Sequence, residues 1–343
     1  MRLKHRGSAL VLLHLPHIVA LKLTVTGAAG YLGAEIACRA AEQGHEVRAV
    51  VRPHSSTEHL SCAGITDILT VEDLCQPSAA RDAADGADAV IHAASVFQQC
   101  DDMEHELVRP NIELAEQMVC ACAAANARLV LTSSMAAVRG TGQIPHTPPS
   151  YTSRDWNTQS QRDGGGFEPY QYSKAASERQ AWELSRRLGG DMVALCPSMI
   201  FGPPRSSTCT GFSVGMVEGW VLGKAPVQSR LVVDVRDCAQ AHLAAAELPQ
   251  AVGRRYITSC EARVPARELM AAVQHRLRAC GRSDVADRVT ADDDFDGGAI
   301  LIGEREVHAD ADMAELGVCC RPNRETLADM VEVLVARIAD AGT

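Results

Sequence analysis

"TVTGAAGYLGAEI", residues 24–36, is the stretch that decides the fold. It places Gly27, Gly30 and Gly33 directly after one predicted strand and directly before a predicted helix. Glycines at this spacing let the backbone turn tightly and approach a pyrophosphate, whose charge is met by the helix N-terminus. The alternative interpretation is a glycine-rich turn without a ligand, but the strand and helix on either side favour a dinucleotide-binding loop.

The chain around this loop alternates short apolar strands with longer amphipathic helices. Such alternation implies parallel strands joined by crossover helices. We therefore expect an α/β fold built on a Rossmann-type, doubly wound parallel sheet. The predicted strands are "LKLTVTG" (21–27), "HEVRAVVR" (45–52), "ITDILTV" (65–71), "ADAVIHAA" (87–94), "ARLVLTSS" (127–134) and a sixth within "DMVALCPSMIFGPP" (191–204).

Composition excludes several classes of protein. The 343 residues are 46% hydrophobic, as in a globular protein, and the net charge of -10 repels phosphate backbones, so we expect no nucleic-acid partner. Thirteen cysteines without a CxxC pair favour free thiols in a reducing, cytoplasmic compartment. The histidines lack ligand-like spacing, and we assign no metal.

The first 20 residues have a basic start and an apolar stretch. His14, Pro16 and His17 interrupt this stretch, and it is too short to span a bilayer, so we expect an N-terminal extension and no membrane association. A mitochondrial targeting segment is the alternative interpretation, because no acidic residue precedes Glu35.

Arg52 indicates which dinucleotide is bound. It follows Gly33 by nineteen residues, at the end of the second strand, where an NAD-binding fold carries an acidic residue. A guanidinium pairs with a 2'-phosphate, which an acid would repel. We therefore predict NADPH rather than NADH; the alternative is a solvated cation at a strand end.

Two further segments follow strands on the same predicted edge. Asp73 and Leu74 are expected to hold the adenine amino group and to pack its ring. In "HAAS" (92–95), small residues allow a cofactor to lie close, whereas His92 itself fits a core histidine better than a catalyst.

A tyrosine, a lysine and a serine suggest the chemistry. In "EPYQYSKAASERQAWEL" (168–184), Tyr170 and Lys174 are four residues apart and therefore share a helix face. The strand "LVLTSS" delivers Ser134 to the edge where ligands bind in open α/β sheets. These groups suit carbonyl reduction by a nicotinamide, with Tyr170 as proton donor and Ser134 as hydrogen-bond donor to the carbonyl oxygen.

Lys174 has the right charge to tune the tyrosine. Moving a phenol pKa from about 10 to about 7 requires roughly 4 kcal/mol of preference for phenolate. One ammonium about 4 Å away, at an effective dielectric constant near 20, supplies about 4 kcal/mol. We therefore expect Lys174 to lower the pKa of Tyr170 and also to bind the nicotinamide ribose.

With these residues the chain resembles the extended short-chain dehydrogenase/reductases, and among them the dihydroflavonol-reductase-like ketone and aldehyde reductases. The resemblance spans residues 21–335 and rests on "TGAAGYLG", "VRAVVR", "VIHAAS", "LVLTSS", "PYQYSKAASERQAW" and "VVDVRDCAQAH", with "RDWNTQS" resembling microbial members. It implies that Ser134, Tyr170 and Lys174 form a catalytic triad. The implied cofactor-binding residues are Gly27, Ala29, Gly30, Tyr31, Leu32, Gly33, Arg52, Asp73, Leu74, Ala93, Ala94, Ser95, Thr132, Ser133, Tyr170, Lys174, Pro197 and Ile200.

The resemblance also implies a smaller carboxyl-terminal substrate lobe. The expected divisions are an extension at 1–20, an NADP-binding domain at 21–197 with 232–249 returning to it, a lobe at 198–231 and 250–335, and a tail at 336–343. The expected substrate is a small-molecule ketone or aldehyde. Candidate pocket residues are Phe97, Met135, Met199 and Phe212.

Some features leave the activity open within the family. Arg139 stands where plant flavonoid reductases carry a substrate-recognising Asn, the "NWYCYGK" signature of cinnamoyl-CoA reductases is missing, and the expected second basic residue is only His54 or His59. A 3β-hydroxysteroid dehydrogenase, a sugar-nucleotide epimerase or dehydratase, and a non-catalytic NADPH-sensing scaffold remain alternatives. A homodimer also remains open, because helices that bury a lobe and helices that bury a second copy show the same pattern.

Overall fold

Seven strands pair in parallel into one sheet in a computed structural model of the chain. The structure describes residues 20–98, 100–144, 146, 150–206, 208–259, 263–292 and 310–341, so nearly all of the predicted extension lies outside the described residues. The strands are β1 (Lys22–Thr26), β2 (Glu46–Val51), β3 (Asp67–Thr70), β4 (Ala89–His92), β5 (Arg128–Thr132), β6 (Met192–Pro197), β7 (Met199–Phe201), β8 (Val232–Asp234) and β9 (Arg255–Thr258).

The strand order confirms the predicted doubly wound fold. The main sheet runs β3-β2-β1-β4-β5-β6-β9, so the chain order reverses between β1 and β4, and ligands bind at such a switch point. The two remaining described strands, β7 and β8, form a separate parallel pair.

Helices cover both faces of the main sheet. None of the helices among the described residues combines the length and the apolar character that a membrane span requires. A π-helical turn, Glu104–Val108, leads into α4, and a short 3₁₀ turn, Pro249–Ala251, precedes β9. The helices are α1 (Tyr31–Glu42), α2 (Glu58–Cys62), α3 (Pro77–Ala84), α4 (Arg109–Ala125), α5 (Met135–Val138), α6 (Glu168–Leu188), α7 (Phe212–Val221), α8 (Val235–Glu247), α9 (Ala266–Ala279), α10 (Ser283–Ala286), α11 (Asp310–Glu315) and α12 (Asn323–Ala341).

The central strands are apolar because the sheet is buried on both faces. β4 and β6 are buried at every residue. One core cluster joins the sheet to α1 and α8, and a second joins its other face to α3, α4 and α6. Burial on two sides explains why these strands read as continuous apolar runs instead of alternating patterns.

The carboxyl-terminal part has its own core, but its predicted limits need correction. A third cluster, centred on Trp220, packs α7, α9, α10 and α12 together. The sequence assigns residues 250–335 to the lobe, yet β9 pairs with β6 in the main sheet, because "RYIT" is a buried strand that extends the sheet by one position. The predicted tail from residue 336 also begins inside α12.

Arg128, the first residue of β5, holds the end of α8 by hydrogen bonds. Its Nη1 atom donates hydrogen bonds to the carbonyl oxygens of Ala245 (3.1 Å), Ala246 (2.6 Å) and Leu248 (3.0 Å). The last carbonyls of a helix have no partner within it, so this one guanidinium satisfies groups that would otherwise be buried unpaired.

We expect Arg128→Met to lower the free energy of unfolding by about 2 kcal/mol, because it removes charge-assisted hydrogen bonds from three carbonyls. Urea denaturation followed by circular dichroism measures the change. Arg186→Ala, at an exposed position in the last turn of α6, is the control and should stay within about 0.5 kcal/mol of the wild type. An equal loss in both variants would contradict the role of Arg128.

Candidate active site

At two of its glycines, the loop leaves no room for a side chain. Gly27 has a positive φ of 70°, and a Cβ atom there would lie 3.0 Å from the backbone of Ala94. A Cβ atom on Gly33 would lie 2.2 Å from the carbonyl oxygen of Gly27. The loop, the start of α1 and the end of β4 therefore approach one another at backbone distance, as the glycine pattern predicts.

The start of α1 suits an anion. Gly30 is the N-cap, and among the described residues no side chain accepts a hydrogen bond at this cap and no acidic residue lies in the first turn. Backbone N–H groups at a helix N-terminus that lack a side-chain acceptor bind phosphate well. The residues present therefore fit the pyrophosphate of a dinucleotide.

Arg52 and Asp73 lie just beyond β2 and β3, on the edge of the sheet that carries the glycine loop. Arg52 is exposed, and its guanidinium has no partner among the residues that the structure describes. Asp73 accepts hydrogen bonds from the backbone N–H of Cys75 and from Gln76 Nε2, which hold the pKa of its carboxyl below the usual range. The roles of Arg52 and Asp73 as cofactor contacts stay predictions.

The two histidines near Arg52 differ in position. His59 is buried, and its Nε2 atom is hydrogen-bonded to the carbonyl oxygen of Ala28 at 3.1 Å, so it holds the backbone of the glycine loop from the protein interior. His54 is exposed and has a positive φ of 63°. Of the two, only His54 is exposed to solvent, as Arg52 is.

His92 orders the end of β4. Its Nδ1 atom is hydrogen-bonded to Thr26 Oγ1 at 2.8 Å, and the same oxygen accepts the backbone N–H of Ala94 at 3.3 Å. Burial lowers the pKa of His92 to about 3, so the ring is neutral. These contacts agree with the predicted structural role and fix Ala94 against the glycine loop.

Asn111 holds the next segment and was missed from the sequence. Its Oδ1 accepts hydrogen bonds from Val96 N (2.8 Å) and Ser95 Oγ (3.0 Å), and its Nδ2 donates to Val96 O (2.9 Å) and to Ser173 Oγ (3.3 Å). It therefore ties the loop after β4 to α6. The available signal was a buried amide on an otherwise apolar helix face.

The structure brings Ser134, Tyr170 and Lys174 together at the carboxyl end of β5. Ser134 is the N-cap of α5, where its Oγ accepts the N–H of Ala136 at 3.1 Å, and its hydroxyl lies close enough to the phenol of Tyr170 to lower the pKa of Tyr170. Lys174 is 7% exposed and donates to the carbonyl oxygen of Thr132 at 3.0 Å. The arrangement matches the predicted constellation, although the catalytic roles remain predictions.

The pKa of Tyr170 differs from the prediction. Burial raises it above the usual value, and the hydrogen bond with Ser134 only partly offsets this effect, whereas the sequence predicts that Lys174 lowers it. The physical reason is that removing phenolate from water outweighs nearby attraction, and the ammonium is directed at Thr132. Tyr170 therefore keeps its proton at neutral pH.

Burial acts on Lys174 in the opposite sense. It lowers the pKa of the ammonium to about 8, while the carboxylate of Glu178 and the thiol of Cys196 raise it. A buried amine loses its proton more easily because the charged form is poorly solvated. The lysine therefore titrates much closer to neutral pH than an exposed lysine.

Three phenylalanines, one of which packs against the ring of Tyr170, form what we call the aromatic cluster: Phe97, Phe167 and Phe212. Ring centroids of Phe97 lie 4.3 Å from Tyr170 and 5.0 Å from Phe212, and Phe167 lies 5.5 Å from Phe212. All three remain more than a third exposed (38%, 49% and 41%). Phe97 and Phe212 are two of the predicted pocket residues, and that role stays a prediction; Phe167, directly before α6, was missed.

Apart from Ser95, which is exposed, the other candidate pocket and cofactor residues are buried or half-buried. Met135 is buried in a small core cluster, and Met199 is half-buried with its sulfur 3.4 Å from Ser213 Oγ. Tyr31 donates a hydrogen bond to the carbonyl oxygen of Gly202 at 2.6 Å. Their roles stay predictions, as do those of Ala29, Leu32, Leu74, Ala93, Ser95, Ser133, Pro197 and Ile200.

Comparisons with known proteins show which proteins this chain resembles. The model of the NAD dependent epimerase/dehydratase family matches residues 23–257. Cinnamoyl-CoA reductase 1 of Arabidopsis thaliana is 32% identical over 248 residues, which cover 67% of this chain and 68% of that protein. Dihydroflavonol 4-reductase of the same plant is 30% identical over 193 residues, 52% of this chain and 49% of that protein.

A solved structure shows the same fold over nearly the whole length. Yeast methylglyoxal/isovaleraldehyde reductase, complexed with NADPH, superposes with a TM-score of 0.78. The match covers 94% of this chain and 99% of that chain at 21% identity. The architecture is therefore shared far beyond the residues of the sites.

A buried histidine next to the site makes stability depend on pH. His242 Nδ1 donates to the carbonyl oxygen of Cys238 at 2.7 Å, and Nε2 is hydrogen-bonded to Thr132 Oγ1 at 3.0 Å. Burial lowers its pKa from 6.5 to about 4. Between these values the unfolded chain binds a proton that the folded chain does not, so acid favours unfolding.

As the pH falls from 7 to 4, we expect protonation of His242 in the unfolded chain to lower the free energy of unfolding by roughly 3 kcal/mol. Urea titrations across this range measure the slope. His242→Gln should flatten it, whereas His275→Gln, at an exposed position, should leave the slope of the wild type. A slope that is the same in all three proteins would contradict this prediction.

Proposed function

The chain belongs to the NAD-dependent epimerase/dehydratase family of extended short-chain dehydrogenase/reductases, in its dihydroflavonol-reductase-like group, and we propose that it is an NADPH-dependent reductase of ketones and aldehydes. The observation that carries the proposal is the meeting of Ser134, Tyr170 and Lys174 at the end of β5. This position is two strands from the glycine loop in the sheet, one strand beyond the switch point between β1 and β4.

NADPH fits the residues that would hold it. The glycine loop and the start of α1 receive the pyrophosphate, Arg52 pairs with the 2'-phosphate, and Lys174 binds the nicotinamide ribose. When bound, the cofactor supplies the hydride. The complex of the yeast relative with NADPH supports this choice, and so does the absence of an acid at the position of Arg52.

The protein's own groups handle the proton. Ser134 and Tyr170 donate hydrogen bonds to the carbonyl oxygen of the substrate, where negative charge develops during reduction. Because burial keeps Tyr170 protonated, its proton is available until that oxygen becomes basic enough to take it. The ammonium of Lys174 then stabilises the phenolate that remains, which is where its charge contributes to the rate.

The aromatic cluster favours a substrate with an apolar group beside its carbonyl. The rings of Phe97 and Phe212 meet edge to face next to Tyr170 and present exposed apolar surface. Such surface binds apolar or aromatic groups and gives a charged group no partner. We therefore propose aryl or aliphatic ketones and aldehydes as the substrate class.

Tyr170→Phe tests the mechanism. It removes the proton donor and leaves the ring in place, so we expect kcat/KM for NADPH-dependent reduction of an aryl ketone to fall by a factor of about 10² to 10⁴. Consumption of NADPH, followed by its absorbance, measures the rate. The affinity for NADPH should change little.

Tyr172→Phe is the matched control, because Tyr172 lies on the same helix with its ring below the guanidinium of Arg162. It should retain wild-type activity. Full activity in Tyr170→Phe would refute the mechanism. Saturable NADPH binding without turnover of any carbonyl would favour a sensing scaffold, and tightly bound NAD released on denaturation would favour an epimerase.

Arg52→Ala tests the choice of cofactor. Because it removes the partner of the 2'-phosphate, we expect KM for NADPH to rise about tenfold or more and KM for NADH to stay nearly constant. Arg48→Ala is the control, since Arg48 lies on the same strand but pairs with Asp67 at 3.0 Å. Equal changes for both cofactors would contradict a phosphate contact at Arg52.

A further inference from the structure

Glu178 is a fully buried carboxylate on the helix that carries the candidate catalytic residues. It lies one turn beyond Lys174 and has no exposed surface. Its Oε2 accepts a hydrogen bond from Ser133 Oγ at 2.5 Å, and its Oε1 accepts one from Trp182 Nε1 at 3.1 Å. A buried carboxylate is costly unless it is fully partnered, so these contacts call for an explanation beyond packing.

Arg255 on β9 supplies the compensating charge. Its Nε lies 2.6 Å from Glu178 Oε1 and its Nη2 lies 3.1 Å from Oε2, a two-pronged ion pair. Its guanidinium also stacks 4.0 Å from the ring centroid of Trp156 and donates to the carbonyl oxygens of Ser153 and Asp155. The paired guanidinium offsets the cost of burying a carboxylate at this position.

Two sets of contacts connect the Glu178–Arg255 pair to Ser134. Ser133 directly precedes Ser134, so the bond from Ser133 to Glu178 fixes that end of β5 against α6. The loop that Arg255 holds continues to Asn157, whose side chain donates to the carbonyl oxygen of Ala136 at 2.8 Å. Ala136 lies in α5, the short helix that Ser134 caps.

The charges that face Lys174 single out Glu178. His92 on β4 is buried and neutral, and burial raises the pKa of the Cys196 thiol on β6 to about 12. Tyr170, on the same helix, keeps its proton, and His242 on α8 contacts Thr132 as a neutral ring. Among the described residues, Glu178 is therefore the carboxylate that supports the ammonium.

We propose that Glu178, paired with Arg255, is a positioning residue that aligns Ser134 with α6 and places a negative charge one helical turn from the buried ammonium of Lys174. The catalytic meaning rests on the reductase function proposed above. The effect on Lys174 does not, because it concerns a charge that titrates with or without turnover.

The lysine content allows a direct test. The sequence has four lysines, so ¹³C-labelled lysine gives four ammonium-bearing side chains to follow by NMR, and Lys174→Arg identifies the signal of residue 174. We expect Glu178→Gln to lower the pKa of Lys174 by about one pH unit, because it removes a nearby negative charge. An unchanged pKa in Glu178→Gln would overturn the proposal.

The control is a second buried carboxylate paired with arginine. Asp237 on α8 pairs with Arg321, and Asp237→Asn removes one buried charge elsewhere in the fold. It should lower stability without moving the pKa of Lys174. An equal shift in both variants would show a general loss of structure and would contradict a specific role for Glu178.

The pH dependence of carbonyl reduction gives a second test of the proposal. In Glu178→Gln the alkaline limb of the pH profile of kcat/KM should move to lower pH by a similar amount, because proton loss from Lys174 becomes easier. Glu178→Asp, which keeps the charge on a shorter side chain, should preserve the pKa of Lys174 and lower kcat about tenfold or more. Wild-type kcat in Glu178→Asp would refute the positioning role, even where Glu178→Gln fails to fold.

The two proposals fail separately. A wild-type protein that reduces no carbonyl, but shows the lysine shift in Glu178→Gln, refutes the reductase function and leaves the charge coupling in place. Carbonyl reduction by the wild-type protein, together with an unchanged pKa of Lys174 in Glu178→Gln, supports the reductase function and refutes the charge coupling. Near-ultraviolet circular dichroism of Trp156 and Trp182, which contact Arg255 and Glu178, shows whether each variant keeps the native packing.

Discussion

The burial of one ammonium group, that of Lys174, is the constraint on which the rest of the site depends. A charged group removed from water is tolerated only when neighbouring dipoles or charges replace its hydration. Here the carbonyl oxygen of Thr132 and the carboxylate of Glu178 do so. The bond to Thr132 requires α6 to lie against the end of β5, and this same contact places Tyr170 beside Ser134.

The same burial has opposite effects on the two titrating groups of the site. It favours the neutral form of each, which raises the pKa of the phenol of Tyr170 and lowers that of the ammonium of Lys174. A phenol that keeps its proton is the correct starting state for a reductase. In the proposed mechanism the lysine acts later, when negative charge passes to Tyr170, so its stabilising effect belongs to the transition state rather than to the resting state.

The features that were predictable from sequence are local. A glycine loop between a strand and a helix, the spacing of Tyr170 and Lys174, and polar residues at the end of β5 all lie within short segments. Glu178 and Arg255 are 77 residues apart, and nothing in either segment shows that they pair. Asn111 and Phe167 were missed for the same reason, and β9 was assigned to the lobe because a short strand does not reveal its neighbour.

The contrast between the two halves of the site follows from where their residues lie. The chemical groups lie at the ends of parallel strands and on α6, where buried partners fix them. The aromatic cluster is assembled from the loop after β4, the residue before α6 and the start of α7, three segments that meet only in the folded chain. Binding surfaces on such connecting segments vary while the scaffold stays constant. The sequence therefore indicates the type of reaction but not the substrate. The residues that suggest the reaction lie within short segments, whereas those of the aromatic cluster come from segments that are distant in the chain.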